Sequence, residues 1–427
     1  MLWIEDILKG NYDGKEVEFS GWVYRHRVAS NLVFIILRDP TGILQCTVKK
    51  ELAEQYEKAR NLYIESSIKV KGIVKRDERA PGGFELALTN IEVISQGEPF
   101  PISKDLSTEF LLDMRHLWVR SQQLTNIFKG RNYVIKYLRE FFENEGFYEI
   151  APPIITKSGA EGGSDVFEIN YFGEKAYLTQ SSQLYAEAFV FSLGKVYVFA
   201  PSFRAEPSRT RRHLAEYWHL EPEMAFYNED MNIELQERMI EHVCQRMAKN
   251  HPELLEKIGR DPNDLKRIRA PFQRMSYEKA VERVNELGGK MEYGQDFGAD
   301  EEYILTKDMK IPISVTNYPA DIKAFYMRED PKKPGTALNN DMLAPEGYGE
   351  IIGGSERIWD YNELVEKIER FKLNRKDYEW YIDLRRYGSV PHSGFGLGIE
   401  RFIMWLFRLE HIRDAIPFPR TINRAYP

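Results

Sequence analysis

The sequence predicts two unlike units, a small all-β barrel followed by a larger α+β body. Three observations carry this. The first hundred residues hold short β-branched, aromatic or alternating runs separated by turn residues. The remainder alternates amphipathic helices with strands, and a proline-containing, aperiodic stretch lies between the two. The length agrees, since 427 residues at about 150 per domain imply two or three domains.

In the first unit the runs fall at residues 17–22, 33–37, 44–49, 67–73 and 84–93. Turns at Asp39-Pro40-Thr41-Gly42 and Ala80-Pro81-Gly82-Gly83 break them. A helical stretch over 51–62 follows the third run. Five strands with one helix after the third suit a Greek-key barrel of the OB type. The expected divisions are a barrel over 1–95, a linker over 96–115 and a body over 116–427.

The body opens on a helix. Leu124, Ile127, Phe128, Val134, Ile135, Leu138, Phe141 and Phe142 recur at three and four after Ser121, and Gly146 stands where a helix ends. A strand leads into Ala151-Pro152-Pro153, and further strands are expected near 176–178 and 196–199. Helices fit 184–193 and 232–248, and a final strand over 393–398 runs into a helix over 399–409. Long antiparallel-looking strands with late helices argue for α+β rather than a doubly wound sheet.

Composition narrows the class. With 43% hydrophobic residues the chain can bury a large core, which excludes wholesale disorder. The net charge of −7 does not advertise a nucleic-acid binder by bulk electrostatics. The apolar runs 32–37 and 402–407 are far shorter than the roughly 18 residues of a membrane span, so no membrane partner is expected. The opening MLWIEDILKG has no basic-then-apolar signal, and Cys46 and Cys244 are too few for a disulfide framework. A cytoplasmic enzyme is the expectation.

Three segments look like chemistry. Residues 203–213 hold Arg204, Glu206, Arg209, Arg211, Arg212 and His213, and Tyr217 follows. A run of this kind is often a solvated hairpin, but flexible guanidinium forks can also wrap a polyphosphate through bidentate bonds. If the strand continues, Arg204 and Glu206 point the same way. The second segment, Gly394-Phe395-Gly396-Leu397-Gly398, puts glycine at alternate strand positions, with Arg401 in the first turn of the next helix. That spacing lets a ligand ring approach the backbone, although alone it more often marks tight packing. The third pairs Asp341 with Glu350, ahead of Gly353-Gly354-Ser355 and Arg357. Two carboxylates beside a phosphate site suit Mg²⁺, which takes few protein oxygens.

Together these segments resemble motifs 2 and 3 and the metal strand of class II aminoacyl-tRNA synthetases, and the stretch into Pro153 is similar to motif 1. Gly21-Trp22-Val23, Leu37-Arg38-Asp39, Thr41-Gly42 and Gln45 resemble the anticodon-binding OB domain of the aspartate–asparagine–lysine subclass. Gln180-Ser181-Ser182-Gln183-Leu184-Tyr185 and 387–394 bring the chain closest to the archaeal-type asparaginyl branch. The resemblance covers nearly the whole chain. It implies a six- or seven-stranded antiparallel sheet flanked by helices, a homodimer with Pro153 at its interface, and ATP, Mg²⁺, L-asparagine and tRNA-Asn as substrates, cofactor and partners.

Roles follow by resemblance. Arg204 bridges the amino-acid carboxylate and the α-phosphate, and with Arg401 it is the catalytic pair. Glu206 accepts from the adenine amino group, Tyr217 and Arg401 sandwich the ring, and Arg212 and His213 hold the γ-phosphate. Glu350 and Gly398 complete the ATP site, while Asp341 and Glu350 carry the metal. Glu161, Ser181, Gln183, Glu221, Arg357 and Gly394 are the expected asparagine contacts. Arg25, Phe34 and Gln45 are the expected tRNA contacts, with Phe34 as a stacking surface unless its strand face is core, and Trp22 as a core residue.

Side-chain charge separates asparagine from aspartate. Aspartyl relatives place a lysine where this chain has Ala186, and the shorter aspartate where it has Glu221. One cation, Arg357, and one anion, Glu221, suit a carboxamide. A carboxylate meets Glu221 as a like charge, costing several kcal/mol. Two alternatives stand: a non-discriminating aspartyl enzyme in which Lys323 supplies the missing cation, and an OB-fold nucleic-acid-binding protein with an inactive body.

Overall fold

The computed structural model describes residues 1–103, 106–157, 165–208 and 210–427. It divides into two compact units, Met1–Leu112 and Asp113–Pro427. In the first, β1 (Glu16–Val28), β2 (Leu32–Arg38), β3 (Ile43–Lys49), β4 (Ser67–Arg76) and β5 (Phe84–Ser95) close a barrel in the order β1-β2-β3-β5-β4. The helix Ala53–Arg60 stands between β3 and β4. Alternation along β2 sends Val33, Ile35 and Leu37 into the barrel core and leaves Phe34 and Ile36 outward. Trp22 departs from expectation. It lies between inward Gly21 and Val23, so its ring points out and is 41% exposed.

The second unit is built on an eight-stranded sheet. Its strands are β6 (Tyr148–Ile150), β10 (Lys195–Phe203), β11 (Glu216–Ala225), β12 (Gln273–Ser276), β13 (Ile313–Thr316), β14 (Asn339–Ala344), β15 (Gly349–Glu356) and β16 (His392–Gly398). A separate three-stranded sheet holds β7 (Ile155–Thr156), β8 (Glu168–Tyr171) and β9 (Glu174–Leu178). The large sheet runs β12-β13-β14-β15-β16-β11-β10-β6. Its six central strands are antiparallel, and a parallel strand is added at each end, β12 on β13 and β6 on β10. The sheet is therefore wider than the six or seven strands expected.

Two long helices, Gln122–Asn144 and Glu229–Asn250, begin on side-chain caps. Ser121 accepts from the Leu124 N–H and Asn228 from the Met231 N–H. Their apolar stripes pack with the final helix, Ile399–Leu406, in the main core, which holds Leu138, Phe142, Val243, Phe402 and Trp405. That final helix stops three residues early. Arg408 turns into the left-handed region at φ 53°, and the Leu409 N–H closes back on the Met404 carbonyl at 2.8 Å.

Candidate active site

Strands β10, β11, β15 and β16 carry the site. Along β11 the two-residue period puts Tyr217, His219, Glu221 and Glu223 on one face. In β16, Gly398 pairs with His219 and Gly394 with Glu223. A Cβ at Gly394 would lie 2.2 Å from the Glu223 carboxyl, and one at Gly396 would lie 2.4 Å from His219 Nε2. These two glycines therefore make room for side chains of the next strand. At Gly398 a Cβ would meet only Arg401, at 3.8 Å. Gly396 and Gly398 face open space, whereas Gly394 does not line it and serves Glu223 instead of a ligand.

Of the expected ATP contacts, Arg204, Arg212, His213, Tyr217, Glu350, Gly398 and Arg401 line one cleft of about 530 Å³. Arg204 lies over the Tyr217 ring at 5.6 Å. Glu206 is the exception. β10 ends at Phe203, so the strand alternation that would align it with Arg204 is not sustained. Its exposed carboxylate stands 3.8 Å from His213 Nε2 and faces a neighbouring cavity with Arg420 and Arg424.

The floor of the cleft is a chain of charges. Arg401 donates to Glu350 Oε2 at 2.8 Å. Arg212 donates to Glu302 Oε2 at 2.6 Å, and the same oxygen accepts the Glu350 backbone N–H at 2.7 Å. Gly349 permits this crossing, since a Cβ there would lie 2.0 Å from Glu302. Burial works to raise the Glu350 carboxyl, but Arg401, Lys323, Arg204 and Arg212 outweigh it and hold it at about 2. Burial, then Arg401, pushes His213 below the usual imidazole range. Glu302 was not foreseen; it sits in an acidic first turn, Asp300-Glu301-Glu302, that reads as ordinary helix-dipole compensation.

A second, larger space of about 1360 Å³ joins the cleft through Arg204, His219, Glu350 and Gly396. Ser181, Gln183, Glu221 and Arg357 meet there. Both oxygens of Glu221 accept bonds, one from the Ser181 hydroxyl and the other from the Ser182 N–H at 2.8 Å. Arg357 is 2% exposed and forks onto Glu223 at 2.6 and 3.2 Å, with a third donor to Ser355 Oγ at 2.7 Å. Of its five N–H groups, one on each Nη is outside these bonds to described residues. Glu161 lies outside the described residues.

Lys323 lines this space, but its charge is committed to Asp341 at 2.8 Å and Asp296 at 3.2 Å. Asp341 is raised to about 6 by burial and the nearby Glu350, against the pull of Lys323. Asp341 and Glu350 each give one oxygen to a cation, Lys323 and Arg401 respectively, and turn the other toward Gly353. A Cβ at Gly353 would lie 3.6 Å from Asp341 Oδ1 and 3.5 Å from Glu350 Oε1. Ala186 does not line the pocket; it is buried against Val190, Val196 and Val198.

On the barrel, Phe34 lies on the outer face with the Arg27 guanidinium 4.9 Å from its ring centre. The register sets Arg25 beside Ile36 and Ile36 beside Gln45, which donates to Glu85 at 3.2 Å. Core is thereby excluded for Phe34. In the other unit Pro153 is exposed beside Ile154 and Ile155.

Residues 107–422 match the family described as tRNA synthetases class II (D, K and N), and residues 17–94 match the OB-fold nucleic acid binding domain. The asparagine–tRNA ligase of Thermoplasma acidophilum is 47% identical over 429 residues, covering 100% of both chains. That of Thermococcus gammatolerans is 48% identical over 421 residues, covering 98% of each. The crystal structure of asparaginyl-tRNA synthetase from Pyrococcus horikoshii, complexed with asparaginyl-adenylate, superposes with a TM-score of 0.96. It is 46% identical and is matched over 100% of this chain and 99% of that one. With full-length identity at this level, and with both clefts assembled from the expected motifs, the chain belongs to the asparagine–tRNA ligases of the class II tRNA synthetases.

Proposed function

We propose that the protein activates L-asparagine with ATP to asparaginyl-adenylate and transfers the asparaginyl group to tRNA-Asn. The observation that carries the amino-acid choice is the charge pattern of the larger space. Glu221 presents an acceptor, Arg357 has two N–H groups outside its bonds to the described residues, and Lys323 is held by two aspartates. A carboxamide satisfies both sides: its oxygen accepts from Arg357 and its NH₂ donates to Glu221. A side-chain carboxylate leaves Glu221 facing a like charge, the kind of mismatch a buried polar site rejects strongly.

In the activation step an oxygen of the asparagine α-carboxylate attacks the α-phosphorus, the bond to the bridging oxygen breaks, and pyrophosphate leaves. The nucleophile is already an anion, so no general base is needed. Arg204, shared by both spaces, is suited to bind the two anions that crowd together there and to stabilise the charge that develops between them. Tyr217 and Arg401 offer an aromatic face and a guanidinium plane for the adenine. His213 meets the distal phosphates, and the Glu302-bound Arg212 stands beside it. In the second step the terminal ribose hydroxyl of the tRNA attacks the activated carbonyl and AMP leaves.

Asp341 Oδ1 and Glu350 Oε1 fit a magnesium ion. They are two hard oxygens turned to one place, and among the described residues Lys323 is the cation paired with the buried Asp341. When bound, Mg²⁺ offsets charge on the phosphates. The outer face of the barrel around Phe34, Arg25 and Gln45 is suited to read the anticodon, by stacking and hydrogen bonds. The exposed apolar residues around Pro153 support a homodimer, and the reaction belongs to cytoplasmic translation.

The test is ATP–pyrophosphate exchange with asparagine and aspartate side by side. Wild type is expected to prefer asparagine by a hundredfold or more in kcat/KM. Arg204→Ala is expected to lose about a hundredfold to a thousandfold at an unchanged Tm, the scale seen when one fixed transition-state donor is removed. Exchange within a few-fold of wild type in the variant removes Arg204 from the chemistry. Equal use of the two amino acids removes the pocket reading.

A further inference from the structure

Behind the larger space lies a buried charge cluster that touches the pocket only through its walls. Glu187, Arg385 and His392 have wholly buried side chains. Glu187, on the helix Gln183–Leu193, accepts from the Tyr381 hydroxyl at 2.8 Å, from Arg385 Nη2, and from Gln183 Nε2 at 3.0 Å. Burial opposes its charge, but Arg385 and then His392 hold its carboxyl well below the usual range. His392 stands between two acceptors, with Nδ1 2.8 Å from the Val390 carbonyl and Nε2 2.9 Å from Glu187 Oε2. The Val390 carbonyl and the Glu187 carboxylate are both acceptors toward the ring. Arg385 Nη2, 3.5 Å from the same Nε2, and the edge-on ring of Phe191 complete its surroundings.

The cluster is tied to the pocket on three sides. Gln183 lines the pocket and donates backward to Glu187. Arg385 Nε donates to the Ile358 carbonyl at 2.8 Å, next to Arg357. The Arg357 N–H donates to the His392 carbonyl at 2.9 Å. Beyond it, Arg357 forks onto Glu223, whose carboxyl burial pushes up to about 8 against the pull of that fork. Within the cluster the buried Glu187 carboxylate offsets the buried Arg385 guanidinium.

We propose that Glu187, paired with Arg385, is a specificity-determining positioning element: by offsetting the buried cation behind Gln183 and Arg357 it weighs against aspartate without touching it. This rests on the reading that asparagine binds between Glu221 and Arg357. Removing the charge of Glu187 leaves Arg385 uncompensated and favours a carboxylate. At an effective dielectric of about 20, two unit charges about 10 Å apart interact by roughly a tenfold factor.

The experiment is pyrophosphate exchange with asparagine and aspartate on Glu187→Gln, Tyr381→Phe and Glu221→Gln, with Tm recorded for each. Glu187→Gln is expected to raise the aspartate-to-asparagine ratio of kcat/KM about tenfold. Tyr381→Phe loosens the same packing but keeps every charge, and should leave the ratio within twofold. If Glu187→Gln is insoluble, Arg385→Gln removes the paired cation and must lower the ratio instead. A ratio that stays put in Glu187→Gln, or moves equally in Tyr381→Phe, overturns the proposal. Failure of the underlying pocket reading looks different: Glu221→Gln would then leave asparagine activation intact.

Discussion

Replacing Glu302 tests whether the cleft floor is one coupled unit. Its Oε2 holds a guanidinium, Arg212, at 2.6 Å and a backbone donor, the Glu350 N–H, at 2.7 Å, with both ion-pair side chains 7% exposed. Glu302→Ala strands a buried arginine and a buried N–H. Breaking such a pair from one side costs about 3–5 kcal/mol, which for a unit of this size lowers Tm by about 10 °C. Glu302→Gln keeps the shape and an acceptor oxygen but loses the charge. A charge-assisted bond exceeds a neutral one by about 1–2 kcal/mol, and the expected Tm loss is a few degrees. The functional effect is selective. Arg212 and Glu350 line the cleft proposed for ATP, so KM for ATP should rise about tenfold, more than KM for asparagine. Calorimetry and exchange assays at varied ATP measure both. A Gln variant with wild-type Tm and ATP KM within twofold would refute the coupling.

Three further outcomes are expected. Phe34→Ala should weaken tRNA aminoacylation tenfold to a hundredfold through KM, the loss of one stack at ~1–3 kcal/mol, and leave pyrophosphate exchange unchanged because the ring faces outward; equal aminoacylation kinetics would clear Phe34 of the role. Gly394→Ala drives a methyl to 2.2 Å from the Glu223 carboxyl, so it should cost at least about 2 kcal/mol and raise KM for asparagine, and a Tm within a degree of wild type would contradict the close approach. His411 is held down to about 4, by burial first and then by Arg413 and Arg211, and its Nδ1 accepts the Arg413 N–H at 3.2 Å. Its neutral form therefore stabilises the fold fully above about pH 6.5, and this is lost as pH falls toward 4. For a half-exposed group the loss is about 1–2 kcal/mol after screening, and His411→Gln should flatten that part of the acid unfolding curve.

Much of the protein was legible because its signals are local. The five barrel runs, the helix after the third, and the caps Ser121 and Asn228 depend on residues two to four positions apart. The same holds for the side of a strand a residue takes: Val33, Ile35 and Leu37 declare the core face of β2, which turns Phe34 outward. Local reading failed where a neighbour from elsewhere decides. The final helix ends at Leu406 because Arg408 turns away to bond Asp264 and Glu346, residues far back in the chain. Trp22 reads as core by its size, yet period two from Val23 puts it outside.

The sequence by itself determined the two units and the order of the motifs, since each is written in short-range spacing. The tertiary structure alone decided who partners whom. Gly394 and Gly396 spare Glu223 and His219, Lys323 is claimed by Asp296 and Asp341, and Arg212 is held by Glu302. Each of these pairs joins segments separated by more than fifteen residues. A buried charge takes whichever opposite charge or donor the packed sheet brings within about 3 Å, and that distance is a property of strand order and register.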